Sequence, residues 1–369
     1  MDRINVTKSS MPGFDEYMEE LRPVWDSRWL SNRGAASKKF EEELKKYLGV
    51  EHVYCFANGH VALEVAIDGL FLPKGGEVIT TPYTHISTTH AIVRNGLVPV
   101  FVDVEPDTYT LNPDLIEKSI TDKTVAIVTT HVYGFPCDVE AIDKIAQKYN
   151  LYVIYDAAHC FGVKYRGVGI GNYGDMAMFS THATKVFHTI EGGLITYKEK
   201  DNDKLRPMRK IVNFGFTSQE DIDYIGTNAR MNEFEAVMGI VNLRHIDEEI
   251  LKRKKVTERY WEHLDGVQGL KVIKPNKDTE WNYAYFPVIL DGFKLDRNQL
   301  KDRLADKNIF ARKYFYPITN EAACYKGAYV NADVPIAKYA AEHVLTLPLY
   351  ADLSQEDVDR ICDAILNDN

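Results

Sequence analysis

The chain has 369 residues, 45% hydrophobic and 27% charged, an ordinary globular composition at a length beyond what one compact core usually reaches. Its formal net charge of −10 argues against nonspecific binding to nucleic acid or anionic lipid, since both need a basic surface. Five cysteines (Cys55, Cys137, Cys160, Cys324 and Cys362), odd in number and without CxxC spacing, fit reduced thiols better than a disulfide framework or a metal site.

The first residues, Met1-Asp2-Arg3-Ile4-Asn5, contain no apolar signal core, and no apolar stretch approaches membrane-spanning length. The expectation is a cytoplasmic protein with no membrane partner. Without a secretion signal, the sequon Asn5-Val6-Thr7 reads as chance.

In chain order, Asn58-Gly59-His60 leads into a helical pattern, Val61 to Ala66. Glu77 to Thr80 reads as a strand, Ile86 to Arg94 as a helix, and Leu97 to Asp103 as a strand. Val125 to Thr130 follows as a strand, Val139 to Tyr149 as a helix and Tyr152 to Asp156 as a strand. Met176 to Ser180 and Leu194 to Tyr197 are short strands. This alternation predicts an α/β domain with a largely parallel sheet covered on both faces. Beyond about residue 250 the pattern changes. A charged helix from about Ile246 to Leu264 places Lys252-Arg253-Lys254-Lys255 on a solvated face, and an aromatic strand runs from Trp281 to Val288. A helix from Asp296 to Lys307, a proline-interrupted loop and a last helix starting near Ser354 complete a smaller α+β unit. The expected division is 1–250 for the large domain and 251–369 for the small one, closely packed and without a flexible linker.

Gly169-Ile170-Gly171-Asn172-Tyr173-Gly174 matches G-x-G-x-x-G, but a strand-like run follows it at Met176 where a dinucleotide fingerprint would open a helix. It predicts a turn. Two other features carry more chemistry. Asp156 ends an apolar strand, where open α/β sheets gather their sites, and Lys185 lies on a later loop before Glu191-Gly192-Gly193. An acid and a lysine so ordered suit pyridoxal phosphate (PLP). The amine condenses with the aldehyde, and the carboxylate keeps the pyridine nitrogen protonated so that the ring takes up electrons. The phosphate needs backbone N–H groups at a helix start, which Gly59 and His60 supply.

These motifs, with Thr81-Pro82-Tyr83-Thr84-His85, Asp156-Ala157-Ala158-His159 and Gly226 to Glu233, resemble the nucleotide-sugar aminotransferases of the DegT/StrS type, fold-type I PLP enzymes. The resemblance spans about Trp25 to Leu353. It implies a large domain with a mostly parallel seven-stranded sheet and a smaller C-terminal α+β domain. It implies that Lys185 is the cofactor-bearing lysine and acid/base, that Asp156 is the pyridinium partner, and that His159 hydrogen-bonds the phenolic oxygen. Ser180 matches a phosphate-binding serine, and Asn228 an asparagine that reaches the phosphate of the neighbouring subunit, which implies a homodimer with shared active sites. His85 stands where the family usually has a larger aromatic ring stacked on the pyridine. Asn and His flank Gly59 where Ser and Thr are usual, which keeps the backbone contacts but not a threonine hydroxyl. His182 and His188 flank the lysine loop in supporting roles. Arg230 and Lys313 are candidate partners for a donor carboxylate or a diphosphate.

The activity so implied is transamination of a nucleotide-linked 4-keto-6-deoxyhexose, dTDP-linked by its Lys185 and Met231 motifs, with L-glutamate as amino donor. Such enzymes serve deoxyamino-sugar biosynthesis of the lipopolysaccharide and O-antigen kind. A carbon-3 or amino-cyclitol transaminase is the alternative, and a non-catalytic protein of the PLP fold is a further one. A sugar 3-dehydratase is disfavoured because those relatives carry histidine where this chain has Lys185.

Overall fold

The computed structural model describes residues 2–198, 206–325, 327–329 and 332–367. The elements are α1 (Phe14–Ser27), α2 (Ala35–Leu48), β1 (His52–Phe56), α3 (Gly59–Asp68), β2 (Glu77–Thr80), α4 (Ile86–Arg94) and β3 (Val98–Phe101). Then come β4 (Thr124–Thr130), α5 (Val139–Tyr149), β5 (Tyr152–Asp156), the ribbon β6 (Lys164–Tyr165) and β7 (Val168–Gly169), β8 (Met176–Ser180) and β9 (Gly193–Tyr197). After these the chain forms α6 (Arg206–Ile211), α7 (Glu233–Leu264), β10 (Leu270–Val272), β11 (Thr279–Glu280) and β12 (Phe286–Leu290). It ends with α8 (Arg297–Asp306), α9 (Pro335–His343), β13 (Val344–Leu347) and α10 (Gln355–Leu366).

Seven strands form one sheet in the order β1-β9-β8-β5-β4-β2-β3. Its neighbours are parallel except around β9, which runs against both β1 and β8. Successive side chains alternate between the faces. Val78, Ala126, Val128 and Ile154 pack with Ala62, Leu63 and Ala66 of α3 and with Ala91 and Ile92 of α4. Ile79, Ile127 and Val153 point the other way, toward Phe40 and Leu44 of α2, Ile142 and Ala146 of α5, and Val237 and Ile240 of α7. The helices start where their capping residues say they should. Asn58 accepts from the N–H of Val61 at 2.9 Å, Asp138 caps α5, and Asn232 with Glu235 forms a capping box on α7.

Three differences from the sequence expectation have clear physical causes. The charged helix expected from about Ile246 begins at Glu233 and runs unbroken over 32 residues, through the expected 250/251 division, because its glycine, Gly239, is packed against Phe40 rather than set in a turn. The small unit also draws on the start of the chain, since Ile4 bridges to Ile309 and is buried among Leu300, Leu304 and Leu345. Second, the aromatic run beginning at Trp281 is not yet strand. Tyr283 has φ 54, and Trp281 and Asn282 donate hydrogen bonds to the carbonyls of Tyr133, His159 and Phe161 before β12 begins. Third, the basic run is not all solvated. Arg253 is 2% exposed and donates to the carbonyl of Leu349 at 3.3 Å, while Lys252 and Lys254 pair with Glu248, Glu249 and Glu258.

Gly169 to Gly174 forms the end of β7, a short 3-10 turn and the entry to β8, a turn as expected. No helix among the described residues is long and apolar enough to cross a membrane, and among them no group of three or more His, Cys, Asp or Glu could hold a metal ion.

Candidate active site

The carboxyl ends of β2, β4, β5 and β8 lie side by side and deliver Thr80, Thr130, Asp156 and Ser180 to one rim. There the chain encloses a cavity of about 400 Å³ lined by Gly59, His60, His85, Asp156, His159, Ser180 and Lys185 among others. Six residues expected to touch a cofactor and the lysine itself therefore meet at one place.

Asp156 is 3% exposed. Its Oδ2 accepts from the Thr88 hydroxyl at 2.7 Å and its Oδ1 from the Ala158 N–H at 3.1 Å. Thr88 belongs to a buried chain of hydroxyls through Thr84 to Thr130, at 2.9 and 2.7 Å. Burial lifts the Asp156 carboxyl above its ordinary range, against the pull of those two donors and of the charges on Lys185 and His85. A buried acid facing a cavity in this state is poised for a cationic partner.

His159, three residues on, is buried and accepts the Tyr133 N–H on Nδ1 at 3.0 Å. Burial, reinforced by the charges of Lys185 and His85, holds the imidazole well below its usual range, so it is neutral. With Nδ1 accepting, the ring proton is on Nε2, available as a donor.

The phosphate-type corner is built from backbone. Asn58 caps α3, leaving the first-turn N–H groups of Gly59 and His60 outside the helix's own hydrogen bonding, with the helix dipole behind them. A Cβ at Gly59 would lie 3.1 Å from that of Ser180, so the helix start and the end of β8 touch there. Gly193 explains why the loop ends in a double glycine: a Cβ on it would stand 2.6 Å from the Cα and N of Gly59. An anionic group fits these donors, and a cationic ring nitrogen fits Asp156. The residues present suit PLP.

His85 caps α4, accepting the Ser87 N–H on Nδ1 at 3.2 Å, and its ring opens onto the cavity. Desolvation by the surrounding protein lowers its pKa, with Asp156 opposing and Lys185, His60 and His90 assisting. His60 bonds the Ser87 hydroxyl at 2.7 Å and approaches Glu64 at 3.1 Å. Lys185 sits on the excursion between β8 and β9, tied by Thr181 N–H to the Gly192 carbonyl at 2.9 Å and Thr189 N–H to the Thr181 carbonyl at 2.8 Å. From outside, the first residues of the chain clasp this loop. The Ser9 hydroxyl donates to the Ala183 carbonyl at 2.6 Å, and the ring of His188 bonds the Ser10 carbonyl. His182 stays at the cavity, 3.4 Å from Glu191.

Three expected residues are not brought to the cavity by this chain. Asn228 is exposed and bonds Arg230 at 2.9 Å, Arg230 also bonds Asn213, and Lys313 lies over the ring of Tyr316 at 5.7 Å. The cation that does line it is Arg312, one residue before Lys313. The sequence offers no signal to choose between adjacent basic residues on a loop. Tyr314 and Phe315 complete that wall, and Tyr285 stands behind the lysine.

A sequence profile of the DegT/DnrJ/EryC1/StrS aminotransferase family matches residues 14–366. The dTDP-4-amino-4,6-dideoxy-D-glucose transaminase of Escherichia coli is 41% identical over 370 residues, covering 98% of each chain. Among solved structures, DesI in the presence of its TDP-sugar product superposes with a TM-score of 0.92 at 32% identity, covering 99% of this chain and 92% of that one. The PLP form of the sugar aminotransferase candidate Spr1654 from Streptococcus pneumoniae superposes at 0.91, with 25% identity and coverage of 99% and 98%. With the profile spanning nearly every element of both units, the chain belongs to the DegT/DnrJ/EryC1/StrS aminotransferase family.

Proposed function

We propose that the protein transfers an amino group from L-glutamate to a dTDP-linked 4-keto-6-deoxyhexose, giving the 4-amino-4,6-dideoxy sugar, with PLP as cofactor in the cytoplasm. The observation that carries this is the meeting of Lys185 and Asp156 at one cavity, beside a helix start suited to phosphate, in a chain full-length similar to the E. coli transaminase. Bound there, PLP supplies the aldehyde carbon and the electron sink that let one amino group be lifted from the donor and set on the ketone. The N–H groups of Gly59 and His60 and the Ser180 hydroxyl would hold its phosphate. Asp156 would keep the ring nitrogen protonated, and the neutral His159 would donate from Nε2 to the phenolic oxygen. The imidazole of His85, which lines the cavity, would stack on the ring. Lys185 Nζ is the base that takes the Cα proton of glutamate and the acid that delivers a proton to the sugar carbon. Arg312, at the cavity wall, is placed to receive the donor carboxylate or the nucleotide diphosphate. Incubation with dTDP-, UDP- and GDP-4-keto-6-deoxyhexoses and glutamate, followed by product NMR, tests substrate and position. Turnover of only a 3-keto sugar, or of none, would overturn it.

We also propose that the active unit is a homodimer in which Asn228 serves the neighbouring site. Its exposure, its place outside this chain's own cavity, and the exposed apolar side chains of Phe214, Ile222 and Ile225 nearby all support a second copy covering this edge. Asn228→Asp sets a negative charge beside a phosphate and Lys185→Ala removes the amine. In a heterodimer of these two variants, a cross-subunit role puts both defects in one site and leaves the other intact. Refolded mixtures should then regain part of the activity that each variant lacks alone. With heterodimers confirmed by native mass spectrometry, absence of rescue would overturn the cross-subunit role of Asn228.

A further inference from the structure

Lys185 Nζ lies 3.5 Å from the hydroxyl of Tyr285 and 5.9 Å from its ring centroid. Tyr285 comes from the small unit, just ahead of β12, and is 7% exposed. Its ring is fixed by His159 at 4.7 Å, Tyr314 at 5.4 Å and Tyr133 at 6.2 Å. The fully buried Arg253 lies within electrostatic reach of Tyr285. A ring needed only for packing in this aromatic wall could be phenylalanine, as Phe315 is. The hydroxyl of Tyr285 instead faces the amine.

We infer that Tyr285 is a positioning residue for the Lys185 nitrogen. Nζ–H donates to Tyr285 Oη. The small unit thereby holds the amine of the large unit in place while it is free to take and return a proton. The contact is long, as such hydrogen bonds often are before substrate is bound. This rests on Lys185 being the reactive amine, which borohydride labelling tests on its own.

The test is Tyr285→Phe, which keeps the ring against His159 and Tyr133 and removes only the hydroxyl. The readout is the pH at which the visible absorbance of the PLP-loaded protein changes. A hydrogen bond accepted from the protonated nitrogen favours that form, so its loss should move the midpoint to lower pH, by about half a unit or more. The other groups facing the amine (Asp156, His85, His159, His182, Glu191 and Arg312) remain in place in the variant. With L-glutamate, kcat should fall about tenfold while KM stays within about twofold, the pattern of a contact used after the donor is bound. Should Tyr285→Phe fold poorly, Tyr285→Met removes the same hydroxyl and should shift the midpoint in the same direction. If borohydride labels Lys185 and the midpoint stays where it is in the wild type, the role of Tyr285 is overturned, whatever happens to kcat. If the label falls on another lysine, it is the assignment of Lys185 that fails.

Discussion

Lys185→Ala should lower turnover by about four orders of magnitude or more, because the variant loses both the amine that carries the cofactor and the acid/base that moves the proton. Cofactor binding should survive, since the donors of α3, Ser180 and the Asp156 carboxylate are untouched by the change. Purified wild type should be yellow, lose that colour on borohydride treatment, and yield a labelled peptide containing Lys185. The alanine variant should bind PLP without a borohydride-stable link. Label on any other lysine would remove Lys185 from the mechanism. The loop itself should stay folded, because its ties run through the backbone of Thr181, Thr189 and Gly192 and through His188, none of which needs the lysine side chain.

Asp156→Asn should keep the cofactor but slow the reaction on the order of a hundredfold or more, the scale on which removing one electrostatic stabiliser usually registers. An amide oxygen can still accept from Thr88 or Ala158, so the local geometry has a way to persist. What it cannot do is hold a proton on the ring nitrogen. Burial makes an ionised Asp156 costly in the protein alone, and the cationic nitrogen offsets that cost. The carboxylate and the ring proton therefore stabilise each other, and a neutral side chain breaks the pairing. Steady-state rates at saturating L-glutamate measure the loss. Rates near the wild type would reduce Asp156 to an anchor for Thr88.

Much of the sheet was legible because buried parallel strands write themselves as apolar runs. Glu77–Thr80, Tyr152–Asp156 and Met176–Ser180 stand where the sequence puts them, as do the helices Ile86–Arg94 and Val139–Tyr149. The helices α1 and α2 were not legible, and the start of α7 was read too late. The seam of α7 with α2 depends on Gly239 meeting Phe40, a contact between distant segments that no local periodicity encodes. The site divides in the same way. Asp156, Lys185, Gly59 and Ser180 lie at strand ends and a helix start, where position implies chemistry. Thr88, Arg312 and Tyr285 come in from a helix turn and from the small unit, so only the packing of the two units reveals them. Near residue 250 the change of composition marks where the side chains of α7 change neighbours, between Ile246 and Val256, and not where the helix stops.

The clasp on the lysine loop also bears on how the protein is made. Residues at the very start of the chain hold Ala183 and His188, yet Ile4 finds its own partner, Ile309, only after most of the chain has been synthesised. Contacts so distant in sequence are slow to form, because loop closure must precede any gain from them. On the ribosome, the large sheet can assemble before the small unit is made. The tie that anchors the far end of the clasping segment, Ile4 to Ile309, is therefore made only once the small unit is present.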